Sequence, residues 1–345
     1  MKLKERFLTT GIGSLPYLDP VKSAREVCAK FDIPFWPQLP KRGFKENMYV
    51  QYASGLPALI IDENKKKVYI DTTKDLSEGL GRIFEAYLSN DYTSFGLGKD
   101  FAQGFYEFLD IAGQYKPNYI KGHVTGPVSF GLGLVDEKGK SILYNDTLKE
   151  AFIKLLEIKA AYQIDKLKEI CKNIIVFIDE PYLTSFGSSY VNIQKEVVIA
   201  MLNAVIDKIK SKGVLSGIHC CGNTDWSVLT ETRVDIINFD AYSYAEGLSL
   251  YPEEISGFLK KGGILAWGII PTSESVLKET EESLFNRLTQ EIGNLEKKKV
   301  PRNLLLSNSL LTPSCGMGTL SQDLTEDIIK KLTLVSRLAK DNLAQ

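Results

Sequence analysis

Histidine is almost absent from this chain of 345 residues, with His123 and His219 its only two representatives. Any chemistry that needs an imidazole must therefore use one of these two positions. A charge excess is missing as well, since 42 Lys and Arg stand against 43 Asp and Glu for a net charge of -1. That balance removes the electrostatic reason to expect nucleic acid or an anionic membrane as a partner. No apolar run approaches the ~18 residues of a membrane span, and the charged stretch Met1 to Phe7 lacks the apolar segment of a secretory signal. We expect a cytoplasmic protein. Cysteine is too scarce for a disulfide framework: Cys28, Cys171, Cys220, Cys221 and Cys315 make five, an odd count that favours thiols or metal ligands in a reducing compartment. Cys28 and Cys171 fall in helical patterns and read as buried filler.

What is present is a soluble, enzyme-like composition, with 44% apolar and 25% charged residues, enough to bury a large core. Short β-prone runs alternate with amphipathic helices. Strands are expected at Phe7 to Ile12, Tyr119 to His123, Ile174 to Ile178, Val214 to Ile218, Asp235 to Phe239, Gly263 to Trp267 and Asn303 to Leu306, with a hairpin of 58–61 against 68–70 and a second around 136–139. Helices are expected at Val21 to Phe31, Leu76 to Leu88, Phe101 to Ala112, Leu148 to Cys171, Gln194 to Ser211, Glu279 to Lys297 and Glu326 to Lys340. About eight strand–helix units without a long linker are the count of a single α/β domain over 1–345, a (β/α)8 TIM barrel with hairpin insertions. A doubly wound dinucleotide-binding sheet is weaker, because Gly11-Ile12-Gly13-Ser14 lacks the third glycine of the phosphate loop.

Barrels place their chemistry at the carboxyl ends of the strands, and there the sequence puts His123, Asp179, Glu180, His219, Cys221, Asp240 and Cys315. His219-x-Cys221 offers an imidazole and a thiolate to one metal ion, a pairing that suits zinc. Cys220 points to the opposite side if the strand continues, as packing. His123 is open between a substrate contact and a structural residue.

In order along the chain stand Thr10 to Pro16 (TGIGSLP), Gly122 to Val128 (GHVTGPV), Ile178 to Pro181 (IDEP), His219-x-Cys221 and Pro313 to Gly316 (PSCG). This series resembles the catalytic half of cobalamin-independent methionine synthase over nearly the whole chain. His219 to Thr224 also resembles the H-x-C-G motif of the methylcobalamin:coenzyme M methyltransferases, which share the uroporphyrinogen-decarboxylase-like barrel. The resemblance implies zinc on His219, Cys221 and Cys315, with a carboxylate as fourth ligand; Asp240 stands at the matching strand end, one methylene shorter than the family's Glu. It further implies homocysteine held by Asp179 at its amino group and by backbone of Ile12 to Ser14 at its carboxylate. Glu46 lies in a segment loosely similar to a substrate-binding one.

Two departures bear on the methyl donor. There is no counterpart of the additional N-terminal barrel that handles polyglutamyl folate, and Gly268 to Ser273 carries no histidine where that family has its proton donor. Methyltetrahydrofolate transfers its methyl poorly unless N5 is protonated, whereas a methyl–cobalt bond needs no such proton. The leading expectation is thus a zinc-dependent S-methyltransferase moving a methyl group from methylcobalamin or another methylated corrinoid, free or held by a corrinoid protein, to a small-molecule thiol, most naturally homocysteine. Alternatives are a short folate-dependent methionine synthase using 5-methyltetrahydrofolate, a coenzyme M-type enzyme, a metal-free decarboxylase, for which arginines near strand ends are few (Arg42 the nearest), and a non-catalytic corrinoid-protein partner. An aromatic set, Phe95, Tyr182, Phe186, Tyr190, Trp226, Tyr242, Tyr244 and Trp267, is expected to line an open mouth. The oligomeric state is left open.

Overall fold

A computed structural model describes residues 3–188 and 191–343; Tyr190, one of the expected mouth aromatics, lies outside them. Ten strands are formed among the described residues: β1 Leu8–Thr9, β2 Leu59–Asp62, β3 Lys67–Ile70, β4 Ile120–Thr125, β5 Val135–Asp136, β6 Ile174–Asp179, β7 Leu215–Cys220, β8 Ile236–Phe239, β9 Ile264–Ile270 and β10 Ser309–Pro313. Seven join one wholly parallel sheet in the order β1-β10-β9-β8-β7-β6-β4. The hairpin β2–β3, with β5 added in parallel beside β3, makes a separate three-stranded sheet.

The expected eighth strand is replaced by an extended segment, 33–38, between the two sheet edges. On one side Ile33 N–H donates to Thr9 O and Gln38 N–H to Gly13 O; on the other, Lys121 N–H donates to Pro34 O and Trp36 N–H to Lys121 O. Isolated parallel bridges pair Phe35 with Lys121 and Ser14 with Gln38. Pro34 and Pro37 have no N–H to give, so the ladder stays too sparse to count as a strand. Because one segment reaches both edges, the sheet is curled.

A second difference concerns 303–306. Expected as a strand, it belongs instead to a helix, Arg302–Ser307, and the strand follows at Ser309–Pro313. A four-residue leucine-rich run has no decisive period, and Pro301, lacking an N–H, is well suited to open a helical turn.

Alternation along the strands divides the sheet's two faces. Ile174, Val176 and Ile178 pack in the large cluster that contains the helices. Their neighbours Ile175 and Phe177 join Leu8, Leu215, Ile236, Ile264, Ala266 and Leu310 in a separate apolar cluster inside the curl. Two residues further on, the same inner face carries Asp179, His219, Asn238 and Thr312. Period-2 geometry thus stacks a polar layer on an apolar floor at the carboxyl ends. No described helix is long and apolar enough to cross a membrane.

Candidate metal centre

His219 stands one residue before the end of β7, Cys221 just past it, and Cys315 in the loop after β10. The structure brings these three together, each offering a ligand atom within 4.8 Å of the others. Tetrahedral zinc with two sulfurs and one nitrogen would draw such atoms to about 3.5–3.8 Å apart, so the approach requires only a small contraction. The strands that carry them, β7 and β10, are linked through β8 and β9 as consecutive neighbours in the sheet.

Two further observations fit a metal to this trio. His219 Nε2 is buried with no hydrogen-bond partner, a state that costs about 1–3 kcal/mol unless something accepts that lone pair. Meanwhile Nδ1 sits 2.5 Å from Asn238 Oδ1. Asn238 Nδ2 donates to Ala266 O and Thr312 Oγ1, both at 2.8 Å, and so turns the amide oxygen toward the ring. Nδ1 must then carry the proton, which leaves Nε2 as the free lone pair. Burial pulls the His219 pKa down to about 4, with Lys121 adding to the effect against the Asn238 bond; the ring is neutral, as a ligand requires. The Cys221 thiolate accepts a hydrogen bond from Cys315, which lowers Cys221 and raises Cys315 well above the usual thiol range. Cys220 faces away, fully buried in the core with its thiol toward Gly222 O.

Asp240 does not enter this group. Its carboxylate caps the helix Ala241–Leu248, accepting from Ser243 N–H at 2.8 Å. Engaged through Oδ1 as an N-cap, and one methylene shorter than the Glu that the family resemblance implied, it lies outside the 4.8 Å grouping of the three.

Asp179 ends β6 beside His219, in register with it. Its Oδ1 is buried without a partner, and its pKa is carried upward chiefly by burial, against the pull of Lys121. Glu180, next to it, is consumed: it accepts from Val128 N, Ser129 N and Ser129 Oγ at 2.6–2.9 Å. A side chain at Gly126 would collide with this carboxylate, its Cβ falling 2.2 Å from Glu180 Oε1; hence glycine there.

The loop of Ile12 and Ser14 adjoins the Cys315 loop. Ser14 Oγ accepts from Gly318 N–H at 3.2 Å and Ser14 O from Met317 N–H at 3.0 Å. Ile12 O accepts from the fully buried Lys121 at 2.6 Å. His123 lies against the same loop, stacked on Trp36 with ring centroids 3.8 Å apart. Both its ring nitrogens lack partners, and burial drives its pKa well below the usual value. Glu46 is engaged locally: it accepts from Leu39 N–H and pairs with Arg42 at 3.0 Å.

The aromatic mouth is smaller than expected. Trp226 and Trp267 are fully buried, packed on Phe239 from either side, whereas Tyr182 and Tyr244 are exposed. Sequence reading missed Asn238, Lys121 and Trp36. For Asn238 a signal existed, because it sits two residues before Asp240 on the same strand face.

No family model matches the chain. Over 313 residues it is 25% identical to the methionine synthase of Methanocaldococcus jannaschii, a match spanning 85% of this chain and 91% of that protein. A solved structure from Listeria monocytogenes, assigned as a vitamin-B12-independent methionine synthase, superposes over 97% of this chain and 98% of its own with a TM-score of 0.58 at 15% identity. That likeness extends over the whole sheet and its helices and identifies the fold.

Proposed function

We propose that the chain is a zinc-dependent S-methyltransferase whose acceptor is homocysteine. The observation that carries this reading is the meeting of His219 Nε2 and the Cys221 and Cys315 sulfurs beside the bare Asp179 carboxylate oxygen. The sequence similarity to a methionine synthase supports it. His219, Cys221 and Cys315 would hold the metal, leaving its remaining position for the substrate. When bound, zinc supplies acidity, so that a thiol otherwise titrating near ~8.5 is available as thiolate at neutral pH.

The protein's own groups do the rest. Asn238 fixes the His219 ring and its tautomer. Asp179 binds the substrate ammonium by a charge-assisted contact, and backbone of Ile12 to Ser14 holds its carboxylate. Anchored at both ends, the sulfur has one orientation toward the donor, and positioning of this kind contributes much of the rate in a bimolecular transfer. A sulfur–carbon bond forms as the methyl–donor bond breaks, the bonding pair staying with the donor.

For the donor we favour a methylated corrinoid. His219 is committed to the donor set, Asp179 to the substrate ammonium and Glu180 to three hydrogen-bond donors, and Gly268 to Ser273 carries no histidine; a methyl–cobalt bond needs no proton, whereas the N5 of methyltetrahydrofolate does. In the same reading residues 1–345 act as one barrel, with 33–38 filling its eighth position. Metal analysis of the purified protein should give close to one zinc per chain. Incubation with methylcobalamin and homocysteine should yield methionine, faster than coenzyme M is methylated and faster than methyltetrahydrofolate reacts. Zinc and turnover persisting in the His219→Ala, Cys221→Ala double variant would reject the assignment.

A further inference from the structure

Beside the candidate site two cavities of about 750 and 820 Å³ share Phe44, Asn47 and Lys66 in their walls and form a continuous groove. One end begins at Pro16 and Pro40, next to the contact of Ser14 with the Cys315 loop. The other contains Tyr49, whose ring lies 6.3 Å from that of Tyr182 and whose hydroxyl pKa is raised by burial and by Tyr182, Glu180 and Cys221. The groove thus runs along the β2–β3 hairpin, reaching the Cys315 loop through the Ser14 contact and the segment after β6 through the Tyr49–Tyr182 pair.

Its walls carry Lys41, Lys65, Lys66, Lys67 and Lys138 against Asp62, Asp136 and Glu137, in a chain whose overall charge is -1. One oxygen of each carboxylate is taken by local hydrogen bonds. Asp62 Oδ1 accepts from Lys65 N–H, Asp136 Oδ1 from Lys138 and Lys140 N–H, and Glu137 Oε2 from Thr72 N–H and Oγ1. What remains for the ammonium groups is weak: Lys65 to Asp62 at 3.7 Å and Lys138 to Glu137 at 3.9 Å, both on exposed lysines. Lys66 and Lys67 enter no ion pair among the described residues. Lysines crowded on a tight turn repel one another, a cost that an anion lying along them would relieve.

We propose that this groove binds the anionic extension of the methyl donor, a phosphate or carboxylate borne away from the transferred methyl group. The assignment rests on the methyltransferase reading and adds where the donor lies relative to the metal. The shared chemistry covers the nucleotide phosphate of a complete corrinoid and the glutamate carboxylates of a folate, and the test separates them.

The test compares the wild type with a Lys65→Glu, Lys66→Glu, Lys67→Glu variant and with the triple Gln variant, all at low salt. These side chains are exposed, Lys65 and Lys66 on the turn and Lys67 at the start of β3, so thermal melting should be nearly unchanged, and the KM for homocysteine should stay within twofold. For methylcobalamin, KM should rise at least tenfold in the Glu variant and by less in the Gln variant, while methylcobinamide, which lacks the nucleotide phosphate, should be unaffected. If the tail is a folate's, the same rise should appear with 5-methyltetrahydrofolate triglutamate and not with the monoglutamate. Equilibrium dialysis of methylcobalamin and of the triglutamate against both proteins reads binding without turnover. A wild type that binds one of them but turns over neither would sink the methyltransferase reading while leaving the groove standing. Equal binding of each donor to wild type and Glu variant would overturn the groove.

Discussion

The inner face of the curled sheet is two regions of opposite character within one set of strands. On the floor, Ile175, Phe177, Leu215, Ile236 and Leu310 pack as an apolar cluster, touched by one cation, the buried Lys121, whose ammonium lies 4.6 Å from the Phe177 ring centroid. One step along the same strands, Asp179, His219, Asn238 and Thr312 replace them, and here Asp179 Oδ1, His219 Nε2 and both nitrogens of His123 are buried without partners. Floor residues gain from burial roughly 25 cal/mol per Å² of apolar surface. The layer above forfeits hydrogen bonds that any soluble alternative would keep. Stability and the proposed function are thus separated by about two residues of strand, and the unsatisfied groups mark where, on that proposal, a ligand and a metal would complete the structure.

That separation can be broken most severely at the ligands. Cys315→Ala or His219→Ala should abolish zinc retention and lower homocysteine methylation by about three orders of magnitude, while the denaturation midpoint of the metal-free protein hardly moves. On the floor the pattern should invert. Ile236→Ala, at a fully buried position, should cost about 2–5 kcal/mol in denaturant titration, with kcat/KM per folded molecule unchanged; a selective loss of activity there would contradict the division. Asn238→Ala sits between the two and should weaken zinc affinity about 10- to 100-fold in a chelator competition by freeing the His219 ring. Asp179→Asn should raise the KM for homocysteine about tenfold or more, the loss of one charge-assisted bond of about 1.5–3 kcal/mol, and leave zinc content alone.

The most gradual effect lies outside both regions. Lys159 is fully buried, donating to Ser54 Oγ and Gly96 O, and burial lowers its pKa to about 7. Between pH 7 and about 10 the unfolded chain holds a proton here that the folded one has released, so stability should rise with pH across that window, by at most about 1.4 kcal/mol per unit. Measured as the melting difference between wild type and Lys159→Met, the advantage of the wild type should grow from pH 7 to pH 9. A flat difference would mean that the lysine keeps its charge inside.

Legibility in the sequence followed locality. Strand–helix alternation is a local signal, and the strands ending in Asp179 and in His219-Cys220 fell within two residues of their observed bounds. The hairpin β2–β3 was legible from a polar turn between two β-prone runs. Where a run was short and leucine-rich, as at 303–306, periodicity carried no decision and the neighbouring proline did. Trp226 and Trp267 show the other limit: an aromatic near a strand end is equally consistent with a mouth or a core, and only packing on Phe239 resolves it. Glu46 looked available until Arg42 and Leu39 claimed its oxygens.

By itself the sequence determined the ends of β6 and β7 to within two residues, and with them that Asp179, His219 and Cys221 would leave the sheet in the same direction, whereas the strand before Cys315 was misplaced. Whether the imidazole and the two thiols met was settled by the order of β7, β8, β9 and β10 across the curl, since Cys315, 94 positions from Cys221 and 96 from His219, comes within ligand distance only through the parallel pairing of strands between them. The tertiary structure alone also chose the tautomer of His219 and retired Asp240 to a helix cap. Local propensity reads neighbours in the chain, whereas a site of this kind is made by neighbours in space.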